Sequence, residues 1–196
     1  RATEPGSTIK LATLLSVLEK GTSKIDDLVE VGGAGRLQVG AKIVTDAERS
    51  PKSVLTVKEC FSHSSNVGMS KIAYKSFASE PDKFLKYLHR FRLDTFSGID
   101  LKEVDRPRLP KLEKGKGGLM DMVTMSYGYA IEVSPLQTMM LYNAIANDGK
   151  MMKPYLVNSI QRNGIVIKQN RPTVVVDDIC KSSIISAARE CMEAVV

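Results

Sequence analysis

Hydrophobic residues recur at helical spacing along several stretches of this chain, and polar or turn residues bracket most of them. Ile9, Leu11, Leu14, Leu15 and Leu18 form the first stripe. Pro5-Gly6 before it and Lys20-Gly21 after it predict a helix that starts close to Ser7 and stops at Gly21. A second helix opens at Thr56, where Glu59 three residues on completes a capping box, and a third carries Ile72, Ala73 and Phe77. Between them lies the small polar turn His63-Ser64-Ser65-Asn66-Val67-Gly68. Ser79-Glu80-Pro81-Asp82 predicts another start, with Ser79 as cap and Pro81 in the first turn. Phe84, Leu85, Leu88 and Phe91 then share one face, and Lys83, Lys86, His89, Arg90 and Arg92 make the other face basic. Leu119 to Tyr127 reads as a short apolar helix. Ser134-Pro135-Leu136-Gln137 is a capping-box start for a helix through Met139, Met140 and Ala144 that ends at Asp148-Gly149. Ile184, Ile185, Ala188, Met192 and Val195 mark an amphipathic closing helix.

Strand signals are fewer. Thr22 to Pro51 contains Val29-Glu30-Val31 and the irregular alternation Leu37 to Val44, which predict loops with short strands. Its Gly32-Gly33-Ala34-Gly35 cluster lacks the Lys-Ser/Thr pair of a phosphate cradle and reads as a turn. Asn163-Gly164, flanked by Tyr155 to Ile160 and Ile165 to Gln169, is the strongest hairpin signal, and Thr173 to Val176 adds a third short strand. Ser97 to Gly118 is rich in Gly, Pro and charge and has no period, so it reads as a loop and a candidate flap over a substrate. The sum is an α+β domain, mostly helical, spanning residues 1–196.

Composition changes this picture little. A hydrophobic share of 43% over 196 residues builds one real core. The net charge of +6 is spread along the chain without interleaved aromatics, which argues against nucleic acid and for a solvated surface. Cys60, Cys180 and Cys191 have no metal-ligand spacing and His63 and His89 are isolated, so no metal or cofactor is implied. The cysteines are expected to be buried small hydrophobes, and the methionines Met120, Met122, Met125, Met139 and Met140 adaptable core. No run approaches the roughly 18 apolar residues of a membrane span and no leader pattern occurs, so any anchor is expected elsewhere in the parent protein.

Candidate chemistry begins at Ser7 and Lys10, the one Ser-x-x-Lys of the sequence. Residues three apart on a helix share a face, which brings the amine over the hydroxyl. A serine needs an adjacent base to become a nucleophile, and a lysine serves when desolvation lowers its pKa. The helix N-terminus supplies unpaired N–H groups for an oxyanion. Together these point to acyl transfer through a serine ester. The same four residues equally describe a capping serine beside a solvated lysine. In the second turn, Ser64 is suited to relaying a proton and Asn66 to holding an amide, and a plain capping turn is the alternative.

The run Glu4-Pro5-Gly6-Ser7-Thr8-Ile9-Lys10, with Ser64-Ser65-Asn66-Val67-Gly68 following 57 residues after Ser7, resembles the penicillin-binding protein and serine β-lactamase superfamily. Gly98-Ile99-Asp100-Leu101, Ser126-Tyr127-Gly128-Tyr129, Val133-Ser134-Pro135-Leu136-Gln137 and Ala144-Ile145-Ala146-Asn147-Asp148-Gly149 are similar to class B, monofunctional members, and the wording around Ser7 and Ser64 to their septal division branch. The resemblance implies a truncated transpeptidase-like fold and a peptidoglycan D,D-transpeptidase in the parent. It implies Ser7 as nucleophile, Lys10 as base, Ser64 as proton shuttle and Asn66 as amide holder, with Ser65 and Gly128 on the substrate side. Implied partners are peptidoglycan stem peptides, β-lactams bound covalently at Ser7, and division proteins through the parent, on the outer face of the bacterial cytoplasmic membrane.

One departure qualifies the resemblance. The family's third motif, Lys-Thr-Gly or Lys-Ser-Gly, is absent from these residues, and Lys116-Gly117-Gly118 has the wrong order and context. In the family it follows a helix resembling Ser183 to Val196, and further strands precede the serine helix. The resemblance therefore implies that this stretch alone lacks part of the oxyanion hole, and the fragment is expected to be nearly inactive. A β-lactamase, a β-lactam sensor and a non-catalytic docking module of the division machinery are the competing readings.

Overall fold

The computed structural model describes residues 1–32, 35–40, 42–48, 50, 52–103, 105–112 and 116–196. A 3-10 turn, Gly6–Ile9, runs straight into α1, Lys10–Lys20, which ends at Gly21 in the left-handed region with φ 75°. Three short strands follow, β1 (Leu28–Glu30), β2 (Arg36–Val39) and β3 (Lys42–Thr45). β4 (Val54–Thr56) leads into α2 (Val57–Ser62) and α3 (Asn66–Phe77). After α4 (Pro81–Arg90) a long irregular segment reaches α5 (Lys116–Met125) and α6 (Pro135–Ala146). The chain closes with β5 (Met151–Met152), β6 (Ser159–Arg162), β7 (Ile165–Gln169), β8 (Val174–Val176) and α7 (Ser182–Glu193).

α1 is the axis of the body. Most helices bury one stripe, but every residue of α1 from Lys10 to Leu18 is buried, because α2, α3, α4 and α7 pack around it. Its two small hydroxyls are satisfied internally: Thr13 donates to the Ser126 carbonyl and Ser16 to that of Ala12. Phe77, Phe84, Tyr87 and Phe91 stack beside it, with neighbouring ring centroids 5.4 to 6.5 Å apart.

Among the described residues the strands form four antiparallel pairs, β1 with β4, β2 with β3, β5 with β8 and β6 with β7. This is the helical α+β body with little sheet that the pattern predicts. The β6–β7 turn carries Asn163 at φ 51° and Gly164 at φ 77°, the geometry its Asn-Gly pair selects. Both predicted capping boxes are present, at Thr56/Glu59 and at Ser134/Gln137. Cys60, Cys180 and Cys191 are free and buried.

Several details differ from the sequence reading. Ser79 does not cap α4; Glu80 holds that position with no side-chain bond, and Pro81, which has no N–H to satisfy, opens the helix. α5 starts at Lys116 rather than Leu119. β4 and β5 are too short to show a period of their own and exist through their partners. Met139 is 54% exposed, outside the core, and Val195 lies beyond α7 at the surface. In the glycine clusters read above, Gly33, Ala34, Lys114 and Gly115 fall outside the described residues. The expected flap is tied down elsewhere: Asp100 accepts from the Leu156 and Val157 amides, Glu103 from those of Ser97 and Gly98, and Arg108 bridges to Glu132.

The capping box at Thr56 holds a helix only six residues long, so its removal should be felt. Thr56→Ala is expected to cost about 1 kcal/mol, a fall of about 2–4 °C in the thermal midpoint measured by circular dichroism.

Candidate active site

Lys10 is the point where the separate segments meet. Its residue surface is 2% exposed. Nζ stands 3.0 Å from Ser7 Oγ, 2.9 Å from Ser64 Oγ, 2.6 Å from the Ser64 carbonyl oxygen and 2.7 Å from Asn66 Oδ1. Serine and lysine come together because the 3-10 turn and the first turn of α1 put positions 7 and 10 on one face. Ser64 and Asn66 arrive from the α2–α3 turn, 54 and 56 residues away in sequence. All four expected catalytic residues therefore converge, which the alternative of a capping serine and a solvated lysine does not allow. Burial pulls the Lys10 pKa down to about 8, and the negative charge of Asp46 offsets part of that fall.

The turn is held in an unusual shape. Ser64 has φ 53°, left-handed for a non-glycine residue, and its N–H donates to the Phe61 carbonyl while that of Ser65 donates to Cys60. Asn66 donates through Nδ2 to the Thr45 carbonyl at 2.9 Å, which fixes its Oδ1 toward Lys10. Gly68 packs on Cys60 so tightly that a Cβ there would lie 2.5 Å from its sulfur. α2 and α3 therefore approach closely just where the turn projects into the cleft.

Two expected site residues take other roles. Ser65 is 4% exposed, and its hydroxyl accepts from the Gly68 N–H as the α3 cap while donating to Asp46 at 2.9 Å. The hydroxyl's one proton is spent on Asp46. Gly128 is buried against the loop that carries Ser7, where its carbonyl accepts from the Gly6 N–H at 3.1 Å. A Cβ on Gly128 would lie 1.9 Å from the Gly6 carbonyl oxygen. It shapes the Ser7 turn through this close approach.

The cleft, about 560 Å³, is lined by Ser7, Asp46, Ala47, Glu48, Ser50, Leu55, Ser62 to Asn66 and Tyr129. Among the described residues none from 97 to 112 lines it, so the flap expectation fails at this point. Asp46 and the Thr45 carbonyl are the parts that sequence reasoning missed. Asp46 Oδ1 accepts from the Val67 N–H and Oδ2 from the Ser65 hydroxyl, each at 2.9 Å. The only local hint is an aspartate following the short alternation of β3, and its partners lie 19 and 21 residues on. Among the described residues no cluster of His, Cys, Asp or Glu could hold a metal ion. No helix among them is long and apolar enough to cross a membrane.

The backing role of Gly128 separates it from an ordinary turn glycine. Gly128→Ala combines a φ of 105° with the clash on Gly6 and is expected to cost more than about 3 kcal/mol. Gly164→Ala, at φ 77° with open space around it, should cost only about 1 kcal/mol. Denaturant unfolding of both variants checks the difference.

Comparison with known proteins agrees with this geometry. The sequence profile of the penicillin binding protein transpeptidase domain matches residues 1–196. Penicillin-binding protein PbpB of Mycobacterium tuberculosis is 28% identical over 98% of this chain and 27% of its own length. Peptidoglycan D,D-transpeptidase FtsI of Buchnera aphidicola is 30% identical over 74% of this chain and 24% of its own. The chain thus spans about a quarter of the length of these curated relatives. Among solved structures, a peptidoglycan glycosyltransferase from Burkholderia ambifaria superposes with a TM-score of 0.81 at 26% identity, over 100% of this chain and 56% of that one. Penicillin binding protein 3 from Mycobacterium tuberculosis, complexed with aztreonam, gives 0.82 at 25%, over 99% and 42%. A matched profile along the whole chain, relatives of this kind and a convergent Ser7–Lys10–Ser64–Asn66 cleft lead to one assignment. The chain belongs to the penicillin-binding protein transpeptidase domain family.

Proposed function

We propose that the parent protein is a peptidoglycan D,D-transpeptidase of septal wall synthesis that works through a serine acyl-enzyme and is acylated by β-lactams. The observation that carries this reading is the buried Lys10 amine set between the Ser7 and Ser64 hydroxyls. Desolvation favours the neutral form, and the hydrogen-bond partners accommodate it. The Ser64 carbonyl and Asn66 Oδ1 can only accept, and a neutral amine has two N–H groups for them. The lone pair is then left for the Ser7 proton. With a pKa of about 8, about a tenth of Lys10 is neutral at pH 7.

In the reaction Ser7 Oγ gives its proton to Lys10 Nζ as it attacks the carbonyl carbon of the D-Ala-D-Ala peptide. The oxyanion meets the Ser7 N–H, which sits in the first helical turn where backbone donors have no intrahelical acceptor. The C–N bond breaks, and the leaving D-alanine amine takes a proton through the Ser64 hydroxyl, resupplied by Lys10. An amine of a neighbouring stem peptide then attacks the Ser7 ester and regenerates the hydroxyl. Asn66 Nδ2 spends one hydrogen on Thr45 and keeps a second for the amide on the acyl side of the substrate. Ser65 and Gly128 hold the walls. The reading places the cleft on the outer, periplasmic face of the cytoplasmic membrane, with division proteins as partners of the parent. The 196-residue chain by itself lacks the Lys-Thr-Gly or Lys-Ser-Gly triplet and is expected to acylate roughly a hundredfold to a thousandfold more slowly.

A fluorescent penicillin tests the reading on the full-length protein. A stable adduct on Ser7 is expected, lost in Ser7→Ala and slowed about 100-fold or more in Lys10→Ala. Rapid turnover of the adduct would mean a β-lactamase, and no adduct at all a docking module. The acylation rate should rise about tenfold per pH unit below about 8 and level off above it, since the neutral amine is the active form. The stability term has a matching sign. The folded pKa of Lys10 lies below the ordinary 10.5, so the unfolded state binds more protons between about 8 and 10.5, and this group adds stability as pH rises through that window.

A further inference from the structure

We propose that Asp46 is the positioning residue of this site, clamping the Ser64–Asn66 turn through Ser65 and Val67. The inference rests on the acyl-transfer reading for its kinetic consequence, but its geometry stands independently. Asp46 follows β3, and its carboxylate spans the start of α3: Oδ2 accepts from the Ser65 hydroxyl and Oδ1 from the Val67 N–H, each at 2.9 Å. These are the two residues on either side of Asn66. The adjacent Thr45 carbonyl takes the Asn66 Nδ2 hydrogen, so two consecutive residues of one strand end fix three consecutive residues of the turn.

The clamp is itself anchored. The Asp46 N–H donates to the Gly35 carbonyl, and a Cβ on Gly35 would sit 3.3 Å from the Asp46 carboxylate oxygen, so the glycine leaves room for it. Without this carboxylate the Ser65 hydroxyl would lose its acceptor while still receiving the Gly68 N–H, and the Val67 N–H at the α3 N-terminus would lose its partner. A left-handed Ser64 persists only where its surroundings overdetermine it, and Asp46 supplies two of those constraints.

The second effect is electrostatic. The titratable groups that line the cleft are Asp46, Glu48, His63 and Tyr129, and Cys60 packs behind the turn. Among them Asp46 is the one whose negative charge acts on Lys10, opposing the effect of burial. The carboxylate therefore makes opposite contributions: it aligns Ser64 and Asn66 for the reaction, and it holds part of Lys10 in the protonated, unreactive form at neutral pH. A group that only packs would do the first and not the second.

Two variants separate these roles. Asp46→Asn removes the charge and leaves a side chain of the same size; Ser65→Ala removes one clamp bond, together with the α3 cap bond from the Gly68 N–H, and leaves the charge. Lys10 is followed in the 196-residue chain by the 13Cε chemical shift during pH titration, and acylation in the full-length protein by a fluorescent penicillin. Thermal melts establish that each variant folds. In Asp46→Asn the Lys10 midpoint should fall below its wild-type value, and the plateau acylation rate should drop about tenfold or more. In Ser65→Ala the plateau should drop with the midpoint unmoved. An Asp46→Asn protein with wild-type midpoint and wild-type plateau overturns the inference, as does a Ser65→Ala midpoint that shifts as far as that of Asp46→Asn. If Asp46→Asn does not fold, the Ser65→Ala plateau decides, and a wild-type plateau there overturns the clamp. Failure of the underlying acyl-transfer reading looks different: no Ser7-dependent adduct forms in the wild-type protein, while the Lys10 titration still reports on Asp46.

Discussion

A single amine kept out of water organises this molecule. Lys10 sits at the head of a helix that is buried along its length, and its ammonium form has no carboxylate within hydrogen-bond reach among the described residues. Burying an unpaired charge is costly, and the observed solution is partial: oxygen dipoles from two segments surround the nitrogen while desolvation moves its proton affinity toward neutrality. The fold bears that cost where the proposed chemistry needs a base. A carboxylate in direct contact would make the pocket more stable and the amine permanently charged. Asp46 instead contacts Ser65 and Val67, and its charge offsets only part of the effect of burial on Lys10.

The remainder of the structure reads as a set of stops that keep the nitrogen's neighbours in place. Gly128 presses on Gly6 and fixes the loop that presents Ser7. Gly68 presses on Cys60 and fixes the approach of α2 to α3. In both cases the missing Cβ is what permits backbone or sulfur to come so near, so a small residue does the work of alignment. Thr13 ties α1 to the Ser126 carbonyl, two residues before Gly128, linking the serine helix to the strap behind it. The proposed catalytic side chains thus stand on helix starts and short turns, and the rigidity comes from contacts behind them.

Local rules written in the sequence carried the helices and the first half of the site. The Ser7–Lys10 pairing follows from helical spacing, and the capping boxes at Thr56 and Ser134 mark their helices in sequence as they do in space. The joining of Ser64 and Asn66 to Lys10 was legible through resemblance, since nothing in the spacing of residues 10 and 64 brings them together. What stayed hidden is what depends on distant partners. β4 and β5 are strands because β1 and β8 lie beside them, and Glu80 displaces Ser79 at a helix start through backbone placement. Ser65 and Gly128 carry family motifs, yet their chemistry is turned inward, and only packing reveals that. Asp46 has no neighbour in sequence that announces its role.

The three cysteines have a practical corollary. Each is buried at 3% exposure or less, and desolvation pushes Cys60 and Cys180 up to about 12 and Cys191 up to about 11. At pH 7 the thiolate fraction at each is about one in ten thousand or lower, so maleimides and iodoacetamides find almost no nucleophile on the folded chain. An exposed cysteine engineered into the loop between β6 and β7 would then take a fluorophore or spin label selectively, with no native thiol removed beforehand.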